Sequence, residues 1–548
     1  MESVQANCVK EWSWSTTRKY ADPFNEVEVD VVFTDPQGRE RRIPAFWAGG
    51  GTWRARHASP LVGTHHYRTV CSDTANPDLH GLQGSLQVTP YEGDNPLLRH
   101  GPLKVATDRR HLEHADGTPF FWLGDTWWMG LCKRILWPDE FQILASDRVS
   151  KGFTIIQIVA GLSPDMVPFD ERGANEAGWP WEKDFARINP AYFDLADHRI
   201  RWLVREGLVP CILGCWGYYL KFLGVKRMKQ HWRHIVARWG AYPTVWCLAG
   251  EGAMPFYLSQ TREQDQADQI ASWTKVARYV RQIDPCCRPI TIHPTQRGRD
   301  QVEDPSVLDF EMLQTGHDGH RSVPNNFKEL AAAVQREPVM PVVIGEVNYE
   351  GLLHGTQDEI QRILFWGNML SGAAGHTYGA NGIWQLNRRG QPYGPSPHGG
   401  VWGNLPWEDA YRLPGSTQIG LARRFLERYP WWRFENHPEW IEQPRNVEEG
   451  WGPFVAGIPG KVRIVYTYHG QPWMRLKLLK GIEPNICYTA FWLDPRTGEE
   501  HAIGKIEVAP DGTWPVPMSP TMDDWVLIVE NRVLGNSRSL TGRRPGER

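Results

Sequence analysis

The sequence predicts an α/β protein: a (β/α)8 TIM barrel flanked by an N-terminal and a C-terminal β-sandwich. Three observations carry this. Between about residues 93 and 430, eight short apolar runs are interspersed with longer helix-like segments. On either side the apolar period shortens to two, as in "VEVDVVF" (27–33) and "VRIVYTYHG" (462–470). At 548 residues the chain also exceeds what one hydrophobic core usually organises.

Residues 1–92 read as the first sandwich, with alternating segments cut by the turn signals "DPQG" and "AGGG". The barrel, 93–430, begins with "FFWLGDTWW" (120–128) and continues with "FTIIQIVAG" (153–161), "LVPCILGCWG" (208–217) and "TVWCLAGEG" (244–252). Its second half holds "RPITIHP" (288–294), "DFEMLQTGH" (309–317), "PVVIGEVNY" (341–349) and "GAAGHTYGA" (372–380). Helical periodicity marks 138–152, 191–207, 265–283 and 358–372. A doubly wound sheet would need a Gly-rich phosphate turn after its first strand, and none is there. Residues 431–535 return to alternation, and the polar, basic stretch 536–548 is expected to be a disordered tail.

Composition excludes several classes. With 41% hydrophobic and 22% charged residues and a net charge of −3, no long basic run points to nucleic acid or an anionic membrane. No apolar stretch reaches the ~18 residues of a membrane span. The start "MESVQANCVKEWSW" lacks the pattern of a signal peptide. Nine scattered cysteines without a CxxC spacing suit reduced thiols, so a cytoplasmic location is expected. No cofactor or metal is expected, and the oligomeric state is not readable.

Barrel active sites lie at the C-terminal ends of the strands. Polar residues recur there: Asp125, Glu251, His293, His317, Glu346, His376 and Tyr378, with Trp216 after the third strand. A carboxylate closing a buried strand is costly unless paired or used. Glu251 and Glu346, on the fourth and seventh strands, would face each other across the mouth. Two carboxyl groups about 5 to 5.5 Å apart are what a retaining glycosidase uses, one as nucleophile and one as acid and then base. Trp127, Trp128, Trp216, Tyr219, Tyr349, Tyr378, Trp384 and Trp402 offer flat faces on which a sugar ring could stack. The long loop 376–416 is assigned to shaping the pocket. His293, His317 and His376 suit hydrogen bonding to sugar hydroxyls, and a catalytic metal on them stays an alternative. A non-catalytic carbohydrate-binding barrel is the other alternative; it would tolerate Gln at both glutamates.

The runs "LGDTWW", "GFTIIQ", "WCLAGEG", "VVIGEVNYEG" and "AAGHTYGANGIW" resemble the apiosidase-like barrels around glycoside hydrolase family 140, relatives of the clan A glycosidases. "EWSW", "DPFNEVEV", "FWAGGGTWRARHAS" and "GTHHYRT" resemble the small β-sandwich that precedes many such barrels, and the C-terminal region resembles a following module labelled collagen-binding. The resemblance implies Glu346 as nucleophile, Glu251 as acid/base, and Asp125, His293, His376 and Tyr378 around the sugar undergoing cleavage. Two positions depart from the pattern. Gly250 stands where clan A enzymes usually carry Asn, and Glu251 stands where apiosidases look more like "GGD". The expected activity is exo-acting, retaining hydrolysis of a glycosidic bond in a plant or microbial glycan or glycoside.

Overall fold

The computed structural model describes residues 2–354, 356–444, 450–468 and 476–531; the expected tail, 536–548, lies outside them. Near the N-terminus, a five-stranded sheet runs in the order Glu2–Gln5, Gln83–Thr89, Gly63–Cys71, Val29–Thr34, Glu40–Pro44. A three-stranded sheet of Lys10–Ser15, Thr52–His57 and Phe46–Trp47 packs on it. Period-two alternation sends Val29, Val31 and Phe33 inward to meet Trp12, Trp53 and Ala55. One pairing departs from the antiparallel expectation: Glu2–Gln5 lies parallel to Gln83–Thr89.

All eight predicted apolar runs form barrel strands: β1 (Trp122–Trp127), β2 (Ile155–Val159), β3 (Val209–Leu213), β4 (Val245–Cys247), β5 (Ile290–Thr291), β6 (Glu311–Gln314), β7 (Val342–Glu346) and β8 (Gly375–Tyr378). They are buried on both faces, so they read as apolar runs without alternation. Parallel ladders connect them in the order β5-β4-β3-β2-β1-β8-β7-β6. Between β5 and β6 closure comes from single contacts, among them Asp309 N–H to the Ile290 carbonyl at 2.8 Å and Thr291 Oγ1 to the Phe310 carbonyl at 3.0 Å.

Among the described residues seven helices of twelve residues or more surround the strands: α1 (Asp139–Lys151), α2 (Pro190–Arg205), α3 (Tyr219–Trp239), α4 (Arg262–Ile283), α5 (Val323–Gln335), α6 (Asp358–Met369) and α7 (Pro414–Leu426). Local sequence explains several ends. Proline stands in the first turn of α2 and α7, and α1 stops at Gly152, which turns left-handed at φ +90°. Sequence periodicity locates α1, α2, α4 and α6 but not the 21-residue α3, whose pattern is interrupted by Gly224 at φ +65°.

The C-terminal region forms a six-stranded antiparallel sheet ordered Glu435–Asn436, Phe454–Ile458, Val462–Thr467, Trp525–Glu530, Thr489–Leu493, Glu500–Lys505. Alternation splits it cleanly. Phe454, Ile464, Tyr466, Phe491, Val526 and Ile528 join the barrel core, while Val455, Val465, Trp492, Leu527 and Val529 form a separate core. Buried ion pairs tie the flanking sheets to the barrel. Arg362 of α6 holds Asp524 through two bonds of 2.7 and 3.0 Å. Arg56 reaches Asp197 of α2, with one bond of 3.0 Å, and also donates to the Arg238 carbonyl. Among the described residues no helix is long and apolar enough to cross a membrane.

Candidate active site

The C-terminal ends of the strands open into a mouth of about 480 Å³, counting space continuous with solvent. Its wall contains Trp128, Trp216, Glu251, His317, Glu346, Tyr349, Trp384 and Trp402, and also Pro164, Asp165, Tyr257, Gln314 and Leu352.

Glu346 ends β7, and local irregularity aims it. The β6–β7 ladder shifts register, so that Leu313 pairs with Ile344 but Gln314 pairs with Glu346. Gly345 is the extra residue of this bulge, and a Cβ there would lie 2.4 Å from Met312 Cγ. The bulge brings Glu346 to the side of Gln314. His317 Nε2 lies 2.6 Å from Glu346 Oε1, and His293 Nε2 lies 3.1 Å from Oε2 as an ion-pair contact too poorly aligned for a hydrogen bond. Burial by itself would raise the carboxyl's pKa, but the two imidazoles outweigh it and hold it at about 2.

Glu251 lies beyond the β4 ladder at φ +45°, a conformation that costs a non-glycine residue free energy and clusters at functional sites. Trp216 Nε1 donates to its Oε2 at 3.2 Å. Burial, reinforced by the negative charge of Glu346, raises its pKa above the ordinary carboxylate value. The glycine before it has a structural reason. A Cβ at residue 250 would lie 2.2 Å from Cε3 of Trp216, so the indole fills the space that a side chain there would need. Gln314 links the pair, donating from Nε2 to Glu251 Oε1 at 3.2 Å and to Glu346 Oε1 at 3.3 Å. The two Oε1 atoms are therefore no farther apart than about 6.5 Å, which brings the two carboxyl groups to the same side of the mouth and is compatible with the spacing of retaining pairs.

Aromatic contacts continue around the wall. His317 stacks on Tyr349 at 4.7 Å, Tyr349 on Trp384 at 6.2 Å, and Trp384 meets Trp402 edge-on at 6.5 Å. Trp402 Nε1 donates to Asp165 at 3.1 Å, and the Tyr257 phenol lies within electrostatic reach of both Asp165 and Glu251. Trp128 donates to the Tyr349 hydroxyl at 2.9 Å and touches Trp216 and His293 edge-on.

Six sequence-predicted residues lie off this wall, and for four of them strand alternation is the reason. Asp125 and Trp127 face the helix layer. Asp125 is fully buried in an ion pair with Arg148 of α1 at 2.6 Å and accepts from Trp127 Nε1 at 2.8 Å. Tyr378, opposite Asp125 in the β1–β8 ladder, donates to Glu350 at 2.5 Å. His376 packs edge-on to Phe365 of α6, and burial lowers its pKa to about 3. The reading of Asp125, Trp127, His376 and Tyr378 as sugar contacts is corrected: each supports the barrel from outside the mouth. His293 stands behind Glu346 and is absent from the wall. Tyr219 lines a separate small cavity with Trp181 and Phe185.

Sequence reasoning passed over Asp165, Tyr257 and Gln314. Gln314 stood inside a quoted strand, and its polar side chain three residues before His317 was the available signal. Asp165 and Tyr257 lie in loops after β2 and β4, whose course no periodicity reveals. Among the described residues no three His, Cys, Asp or Glu side chains are grouped as a metal ion would need.

The apiosidase-like catalytic domain family matches residues 106–433, more than half of the chain. The chain belongs to the apiosidase-like family. The barrel is thus a catalytic domain with the fold of a glycoside hydrolase. Residues 4–72 match a domain of unknown function and 458–530 a collagen-binding-like domain named for a collagenase. Among solved structures, one described as a glycoside hydrolase is 22% identical and aligns over 80% of this chain and 99% of its own, with a TM-score of 0.66. A glycoside hydrolase family 5 protein from Bacteroides vulgatus ATCC 8482 is also 22% identical, aligning over 81% and 95% with a TM-score of 0.65. A protein from the same bacterium assigned as a glycoside hydrolase is 17% identical, aligning over 97% and 100% with a TM-score of 0.71. At these identities the likeness establishes the fold, including the flanking sheets of this apiosidase-like chain. No curated protein matches it by sequence.

Proposed function

We propose that this chain is a retaining, exo-acting glycoside hydrolase, with Glu346 as nucleophile and Glu251 as acid/base. The observation that carries the reading is the split between the two linked carboxyl groups. Glu346 is held ionised by its imidazole neighbours, while burial and the charge of Glu346 favour the protonated form of Glu251. A pure binding site needs no such division.

In the proposed mechanism Glu346 attacks the anomeric carbon as Glu251 gives its proton to the departing oxygen. The resulting glycosyl ester is then hydrolysed by a water that Glu251 deprotonates. Gln314 fixes the pair through its amide, and Trp216 orients Glu251. Trp384 and Trp402 from the loop after β8 and Pro164 from the loop after β2 narrow the mouth on one side, which supports action at a chain end or on a small glycoside. The nine unpaired cysteines suit the reducing compartment proposed for it.

The test is release of 4-nitrophenol from aryl pentosides, hexosides and uronides of both anomers, with the sugar product followed by NMR. The native protein is expected to turn over at least one glycoside with retention, and Glu346→Gln to lose that activity. Equal turnover by both proteins, or inversion, would remove Glu346 from its role.

A further inference from the structure

The wall of the mouth carries a third carboxylate that the two-glutamate mechanism does not use. Asp165 is 3% exposed, and its backbone takes φ +62° in the loop after β2. The indole N–H of Trp402 donates to its Oδ2 at 3.1 Å, while burial pushes the carboxyl's pKa above its ordinary value. A carboxylate has about four acceptor positions, so the Trp402 donor leaves capacity for a ligand. No ion pair among the described residues involves Asp165. Arg172 is near, but its guanidinium is spent on Asp170 at 3.0 and 2.7 Å and gives Asp165 only a long contact to the backbone carbonyl.

The composition of the whole wall gives this charge its consequence. Of the described residues lining the mouth none is lysine or arginine, and the imidazole of His317 is committed to Glu346. A sugar entering the site therefore meets aromatic faces, the catalytic pair and the Asp165 carboxylate, with no uncommitted cation to receive an anionic substituent. Like charges brought together in a partly dry pocket repel strongly. A hydroxyl, by contrast, can donate to a carboxylate and gain a charge-assisted hydrogen bond.

We propose that Asp165 is a specificity-determining residue: its carboxylate accepts hydrogen bonds from the hydroxyls of a neutral sugar and turns away sugars that carry a carboxylate of their own. This rests on the hydrolase reading of the pocket. Trp402 holds Asp165 in place, and the neighbouring Tyr257 and Trp384 supply aromatic faces of the same wall.

The experiment compares kcat/KM for matched 4-nitrophenyl hexosides and uronides that differ only at carbon 6, in the native protein, in Asp165→Asn and in Trp402→Phe. The native protein is expected to prefer the neutral glycoside. Asp165→Asn keeps the shape and removes the charge, and should shrink that preference about tenfold or more. Trp402→Phe removes the anchor but keeps the charge, and should lower both rates while leaving the preference in place. An unchanged preference in Asp165→Asn, or a native preference for the uronide, overturns the proposal. Calorimetric binding of the two parent sugars to Glu346→Gln, with and without Asp165→Asn, reads the same preference without turnover. If the native protein hydrolyses no glycoside while binding still shows the charge-dependent preference, the hydrolase reading falls and the role of Asp165 stands. Absence of the preference in Glu346→Gln alone, or its persistence when Asp165→Asn is added, removes Asp165 from this role.

Discussion

Glu346 and Glu251 differ in surroundings more than in chemistry, and that difference sets the pH behaviour. In the proposed mechanism activity requires Glu346 ionised and Glu251 protonated. The acid limb should therefore follow Glu346, held at about 2, and the alkaline limb should follow Glu251, raised above the ordinary carboxylate value. His317→Ala removes the 2.6 Å partner of Glu346, so its pKa should climb toward the ordinary value and the acid limb should move to higher pH, as a pH profile of kcat/KM would record. A His317 variant with an unmoved acid limb would leave the imidazole without this role. Glu346 also contributes stability through its lowered pKa. That contribution is present above the unfolded value near 4.5 and fades as the pH falls toward 2. Glu251→Gln cannot donate a proton and should cost at least about 10²-fold in kcat on a substrate with a poor leaving group, with a smaller loss on an activated aryl glycoside.

At the scale of elements, the turn between β4 and α4 shows how close packing dictates a residue. Gly250 gives up its side-chain space to Trp216, whose indole N–H then holds Glu251. Gly250→Ala should force that ring to move, costing about 1 to 3 kcal/mol in stability by denaturant unfolding and lowering kcat more than it raises KM. An unchanged midpoint with full activity would mean the indole has room to spare. The β7 bulge is a second such device, because one extra residue decides on which side Glu346 emerges. Strand-end position was legible in the sequence for Asp125, Trp127, His376 and Tyr378, but the face was not. A one-residue change of parity sends a side chain to the helices instead of the mouth, and strands buried on both faces carry no polar alternation to reveal it.

The whole molecule is bound together by charges buried between its parts. Arg362 of α6 is held by Asp524 of the C-terminal sheet, and Tyr466 also donates to that carboxylate at 2.9 Å. Arg362→Ala would strand Asp524 without its cation, at a cost of about 3 to 5 kcal/mol. Calorimetry should show the C-terminal sheet melting earlier, and separately from the barrel. A single transition at the native temperature would show that the shared apolar face, with Phe454, Tyr466 and Phe491, suffices without the ion pair. With one sheet face in the barrel core and the other in its own core, the C-terminal part has a packing role.

Composition, period and spacing by themselves determined the eight strands, the sheets on either side and that Glu251 and Glu346 stand at strand ends facing one mouth. These depend on local signals: apolar runs of strand length, alternation of period two, and carboxylates at strand ends. The tertiary structure alone decided which strand-end side chains enter the mouth, that Gln314 joins the two carboxylates, and that loops after β2 and β4 bring Asp165 and Tyr257 to the same wall. Those facts depend on parity, on a bulge and on the path of long loops. Each is settled by contacts between residues far apart in the chain, for which no local pattern exists.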